Sequence, residues 1–403
     1  MTMVRRLERH VQHVADRADM NAKDTALAKD LVLGISESGS VRLSKISNVI
    51  DKGKDVPLIR TEQRLSKGLR AKESGLDNAQ LGYLREVAPV ARTLPYVIID
   101  GSQNTHPYGK TFEYIGIVQD RSLPKKPLVP GYWTVNIEVS DAQRRHLPLY
   151  HDVYSCEDPA YKELGDVAWQ TQFWRGIEAV KPYLAKDVIG LLDRGFDDVK
   201  ELTYLHTHLP RHVVRMCSTR NVEVGDPHDP QVWNIRKLSD SLETKYPVDV
   251  EYVDKSSHKL KTMRLSFTWV PVRIPGLPWQ YYLLVVRGTR DEDWMLLCSF
   301  RPHNVAEAQK IIQTFVRRWG VEESIRCYKQ CTGAEKVMVR GLVAIRRLLF
   351  LAMMAVGLQA VWLFRNNRLA RRLIDSVKAF IKDVPFKHYR LWEGVKQELV
   401  RSG

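Results

Sequence analysis

The chain has 403 residues and a formal net charge of +15 at neutral pH. That length is too great for one ordinary domain and suits a large core with appended or inserted parts. The surplus of Lys and Arg attracts polyanions, which makes nucleic acid the first class of partner to consider and a membrane surface the second.

The N-terminal stretch MTMVRRLERHVQHVADRAD is polar and lacks an apolar run followed by small residues, so it does not read as a secretory signal. The five cysteines are scattered, odd in number and without a paired CxxC spacing, which implies a reduced, cytoplasmic chain. Residues 1–92 read as helical and basic, with Leu27, Ala28, Leu31 and Val32, then Val41, Leu43 and Ile46 after a Ser/Gly-rich turn. The segment SESGSVRLSKISNVI resembles the turn and second helix of a helix-turn-helix unit, with Arg42 and Lys45 available to phosphates. A plain helical appendage would account for the same residues.

Residues 93–218 change character. YVIID is a buried-strand run of aromatic and β-branched residues that ends in Asp100. TFEYIGIVQD, YWTVNIEVS and HLPLYHDVYS have strand composition and no helix between them, so they are expected to pair antiparallel. A helix is expected over about 167–184, followed by the strand-and-turn segment DVIGLLDRGF, which carries Asp193, then a second helix and the strand RHVVRMCS. This order, in a mixed α/β (α+β) chain, is the RNase H-like plan.

Residues 219–300 are β-rich again and read as an inserted domain between Asp193 and Glu322. Residues 301–360 read as helical and close the core, and 361–403 as a basic helical tail. Leu348–Phe364 is apolar enough to raise the question of a membrane span, but arginines at both ends give no positive-inside asymmetry, and it reads as a buried core helix.

Asp100 and Asp193 each sit at the expected end of a strand, followed within one or two residues by glycine, where a turn or cap residue would look the same. Phe315, Arg318, Glu322 and Lys329 recur at helical spacing and share one stripe, with Arg326 on the same side. A solvated charged face would also give that spacing.

FVRRWGVEESIRCYK resembles the YREK signature of bacterial insertion-sequence DDE transposases, with Phe315 in place of the family's tyrosine. YVIIDGSQNTHPYGKTFEYIGIVQD and VIGLLDRGF are similar to the family's first and second aspartate regions. The resemblance covers roughly residues 90–350. It implies that Asp100, Asp193 and Glu322 are catalytic and hold two Mg²⁺ ions, with Mn²⁺ as a substitute, about 4 Å apart.

The activity implied is cutting at terminal inverted repeats and joining of the freed 3′-hydroxyl to target DNA, with a DNA hairpin as intermediate. Arg318, Arg326 and Lys329 would hold phosphates, the role of Phe315 is altered by its missing phenol, and Trp294, or next Trp279, would stack on an unstacked base. A homodimer on two DNA ends follows from the same resemblance, with Leu391 and Trp392 as candidates for the contact, and no membrane partner. The acids alone are equally compatible with an RNase H-like nuclease that does not join strands. A transposase-derived DNA-binding protein without catalysis and a membrane-associated protein anchored by Leu348–Phe364 are the further alternatives.

Overall fold

The computed structural model describes residues 2–402 apart from 54, 110, 121, 122, 124, 255–258, 290, 291, 366, 367 and 379–385. Five helices come first: α1 (Met3–Arg17), α2 (Ala22–Ser38), α3 (Leu43–Ile50), α4 (Leu58–Leu69) and α5 (Ala79–Ala91). On α1 the apolar residues Leu7, Val11 and Val14 recur every three or four positions and are all buried, which turns one stripe of an otherwise charged helix inward. Asn21 starts α2 by accepting the Asp24 backbone N–H at 2.8 Å.

Four strands follow, β1 (Tyr96–Thr105), β2 (Gly116–Gln119), β3 (Leu128–Ser140) and β4 (His146–Tyr154), then the helices α6 (Pro159–Lys162) and α7 (Ala168–Val180). Next come β5 (Ile189–Leu192), α8 (Val199–His208) and β6 (His212–Arg215), a β–α–β unit. The β-rich segment contains β7 (Asn221–Val224), β8 (Gln231–Asn234), α9 (Ile235–Ser241), β9 (Tyr246–Val253), β10 (Leu260–Arg273), β11 (Gln280–Arg287) and β12 (Trp294–Cys298). The chain closes with α10 (Val305–Arg317), α11 (Trp319–Thr332), α12 (Leu342–Phe364), α13 (Arg368–Ser376) and α14 (His388–Ser402).

The fold is mixed α/β around one twelve-stranded sheet, ordered β2-β3-β1-β5-β6-β12-β11-β10-β7-β8, with β4 also on β3 and β9 also on β10. β1, β5 and β6 run parallel, while β3 is antiparallel to both β1 and β4. The strands of 219–300 are continuous with this sheet. β12 returns beside β6 and pairs with it antiparallel, so the segment lengthens the core sheet at its β6 edge.

YVIID does not end its strand at Asp100. β1 runs on to Thr105 because Asp100 through Thr105 keep their antiparallel partners on β3, from Asn136 to Gly131. Cross-strand pairing there overrides the weak strand preference of Asp-Gly-Ser-Gln-Asn.

The apolar helix α12 is buried over almost its whole length and packs against β4, α2 and α5. Long and apolar enough to cross a bilayer, it is here the central helix of the fold, with 94% of its most apolar window inside. Gly357 lets it approach Tyr83, whose ring fills the space a Cβ would need, and the Tyr83 hydroxyl donates to the Pro148 carbonyl at 2.5 Å. The C-terminal helix α14 packs on α2 and α1. Leu391 and Trp392 are both buried within this chain, so neither is free to form the subunit contact expected of them.

Candidate active site

The parallel pairing of β1 with β5 stops at Ile99 opposite Leu192. Asp100, within β1, and Asp193, just past β5, are the next residues along the two strands, which sets the two acids side by side where the parallel pairing ends. Ligand clefts of open α/β sheets form at such strand ends. Glu322 comes to the same place in the first turn of α11.

Between the three acids lies the guanidinium of Arg318, only 4% exposed. Its terminal nitrogens are 3.6 Å from Asp100 Oδ2, 3.8 Å from Asp193 Oδ2 and 3.9 Å from Glu322 Oε1. These are ion pairs without close hydrogen bonds, and Arg318 Nε has no partner. Of the cations expected to hold phosphates beside the acids, Arg318 points inward to the carboxylates themselves.

Arg318 is also where the expected single helix divides. α10 ends at Arg317 and α11 begins at Trp319, with the Arg318 N–H bonded three residues back to the Phe315 carbonyl at 3.0 Å. The tighter turn swings Arg318 and Glu322 over the strand ends. Phe315 is 2% exposed, its ring centroid 5.8 Å from the Arg318 guanidinium carbon, so it supports the arginine from within the core. A direct DNA contact by Phe315 is ruled out by that burial.

Burial pushes the Asp100 carboxyl up to about 6; Arg318 opposes the rise, while Asp193 and Glu322 add to it. At Asp193 burial also works against the charge, but Arg318, the Arg194 backbone N–H, Arg215 and Arg194 together hold it below the ordinary aspartate value. Asp193 Oδ1 is buried with no hydrogen-bond partner. The two aspartates thus differ in character, one inclined to keep a proton and the other to stay ionised.

A buried network that the sequence reading missed holds α11 in place. Ser324 Oγ donates to Glu138 Oε1 at 2.7 Å, and His146 Nδ1 lies 3.2 Å from Glu138 Oε2. At the other end of α11, the Lys329 ammonium donates to the Gln103 carbonyl of β1 and to Glu335 Oε1 at 2.9 Å. Asn104 Nδ2 donates to the Ala334 carbonyl at 3.2 Å, a second tie from β1 to the end of α11. No spacing signal marks these residues, because their partners lie on elements far apart in sequence.

The remaining expected DNA contacts fall in different places. Arg326 is exposed and pairs with Glu323 at 2.7 Å. Arg42, just before α3, and Lys45, on it, are both exposed. Trp294 is 4% exposed and packs edge-on to Trp319 at 5.5 Å between ring centroids, so it presents no ring to a displaced base. Trp279, half-buried, stacks on His206 at 3.9 Å. A cavity of about 680 Å³ opens beside Glu322, walled by α11 and α14 and carrying Arg144, Arg317, Arg326 and Lys396. Asp100 and Asp193 do not line it.

Among the described residues, the group of three metal-ligating side chains whose donor atoms all lie within 4.8 Å of one another is His10, His13 and Glu86. Asp100, Asp193 and Glu322 are spread more widely around Arg318. The arrangement can neutralise, and on rearrangement chelate, a strong positive charge at the strand ends. The sequence matches no protein-family model and none of the curated proteins compared with it.

Proposed function

We propose that this chain is a DDE transposase of the bacterial insertion-sequence type, which cuts DNA at transposon ends and joins the freed 3′-hydroxyl to target DNA. The observation that carries the reading is the convergence of Asp100, Asp193 and Glu322 on one buried guanidinium. Three acids from two strands and a helix meet there although long stretches of chain separate them. The strand order β4-β3-β1-β5-β6, antiparallel on one side of β1 and parallel on the other, supports an RNase H-like core for that site.

The donor set fits Mg²⁺, with Mn²⁺ as its substitute. All three side chains offer hard oxygens, Asp193 Oδ1 is buried without a partner, and Asp100 carries its charge at a cost that a divalent cation would remove. Asp100, Asp193 and Glu322 would hold two ions, which when bound polarise the scissile phosphate and activate the attacking water or 3′-hydroxyl. Arg318 neutralises the three acids in this arrangement and would compete with a cation for them. The cavity beside Glu322 carries Arg144, Arg317, Arg326 and Lys396 among acidic and apolar side chains, and these cations offer contacts to a phosphate backbone.

The natural substrate in this reading is the pair of inverted repeats bordering the gene, bound by a homodimer, with a hairpin as intermediate. The test is cleavage and joining of a DNA carrying those repeats, with Mg²⁺, by the full chain and by Asp100→Asn, Asp193→Asn and Glu322→Gln. Each variant is expected to bind the ends, melt as a folded protein and cut at least a hundredfold more slowly, within the range general for loss of a catalytic group. Near-normal cutting by any one of them overturns the assignment. Cutting without joined product reduces the function to an RNase H-like nuclease.

A further inference from the structure

A second cluster, sharing no residue with the acids around Arg318, lies between α1 and α5. His10 and His13, one helical turn apart, present their rings on the same face of α1. Glu86, 7% exposed, reaches them from α5. Glu86 Oε1 is 3.0 Å from His10 Nδ1 and 3.6 Å from His13 Nδ1. The two imidazole planes stand 80° apart.

These separations bracket the edge of about 3.3 Å that a tetrahedron has when its metal–ligand bonds are about 2.0–2.1 Å. The other carboxylate oxygen of Glu86 pairs with Arg17 at 3.2 Å, which fixes the orientation of the one that faces the histidines. Two imidazole nitrogens and one carboxylate oxygen suit zinc and its neighbours better than magnesium or calcium. Three protein ligands leave a fourth position, and the pocket of about 410 Å³ on that side carries Arg6, Arg9 and Arg365. A cationic surround of this kind selects an anionic oxygen as the fourth ligand.

We propose that His10, His13 and Glu86 bind a divalent transition metal of the zinc type, whose open position takes a phosphate-class anion held by the surrounding arginines. The site joins α1 to α5 and lies against Trp362 near the end of α12, its His10 ring 6.2 Å from that indole. It is independent of the function proposed above.

The test uses the full chain as wild type, His13→Gln and Asp100→Asn, each first shown to be folded by its melting transition. His13 is half exposed, so its replacement leaves the helix packing intact. Zn²⁺ is titrated against a chromophoric chelator, and Co²⁺ is used as a spectroscopic substitute. Wild type and Asp100→Asn are expected to share one tight zinc site that His13→Gln weakens at least tenfold, while any weaker zinc that only Asp100→Asn loses belongs to the carboxylates around Arg318. Inorganic phosphate is expected to shift the visible Co²⁺ bands of wild type. No tight zinc uptake by the folded wild type, tight uptake unchanged in His13→Gln, or tight uptake lost in Asp100→Asn would each overturn the metal site, and Co²⁺ bands indifferent to phosphate would overturn the anion.

Discussion

Gly320 lies directly against the imidazole of His146, in the space a Cβ would occupy. His146 is fully buried and tied to Glu138, which holds the ring against Gly320. Gly320→Ala is therefore expected to cost about 1–3 kcal/mol through overpacking. The strain falls in the first turn of α11, two residues before Glu322. Thermal melts should show the loss of stability, and cleavage should fall further than the change in folded fraction explains. A variant as stable and as active as wild type would mean that α11 can shift freely against β4.

Arg318 gives the second prediction. Removing one partner of a buried ion pair costs about 3–5 kcal/mol, and somewhat less is expected here because Asp193 and Glu322 keep contact with water. Arg318→Met should accordingly melt well below wild type in metal-free buffer. Mg²⁺ should restore more stability to the variant than to wild type, since the cation then does the work of the lost guanidinium. Equal Mg²⁺ responses in the two proteins would place the ions away from Arg318.

The three acids stood out in the sequence because β-branched runs lead into Asp-Gly and Asp-Arg-Gly, and the Arg318–Glu322–Lys329 spacing marks a helix face, although β1 runs on past Asp100 to Thr105. The break between α10 and α11 was not, because Arg318 keeps helical dihedrals and only the hydrogen-bond register changes. Nor could composition tell that β12 would pair with β6, since a strand's pattern states which face is apolar and not which neighbour it will find. The Glu138–His146–Ser324 network was invisible for a similar reason, as each member taken alone reads as an ordinary polar residue of a strand or helix.

Trp294 shows what that limit does to a site assignment. An exposed indole on a β-rich segment would serve an unstacked base, but this one fills the core between Phe315 and Trp319. Trp294→Ala is expected to destabilise the fold by about 3–5 kcal/mol. Trp294→Phe, which keeps a ring in the core, should recover most of that stability and cut DNA at close to the wild-type rate. Loss of end opening by a stable Trp294→Phe protein would return the indole to the DNA.

Asp100 makes folding depend on pH. Its pKa stands at about 6 in the folded chain against an ordinary 3.8, so the folded state keeps a proton that the unfolded state has already released. Between these two values stability falls as pH rises, and above about 6 the whole cost is present. The difference corresponds to on the order of 2–3 kcal/mol. Asp100→Asn removes the charge and should raise the melting temperature of metal-free protein at about pH 8, with the gain shrinking toward about pH 4. Mg²⁺ should stabilise wild type and not the variant, and its affinity for wild type should fall as pH drops below about 6, where the metal must displace the Asp100 proton. Melts of the two proteins across this range, with chelator and with Mg²⁺, separate the outcomes: an Asn variant no more stable than wild type at the alkaline end would show that Arg318 already compensates the Asp100 charge in full.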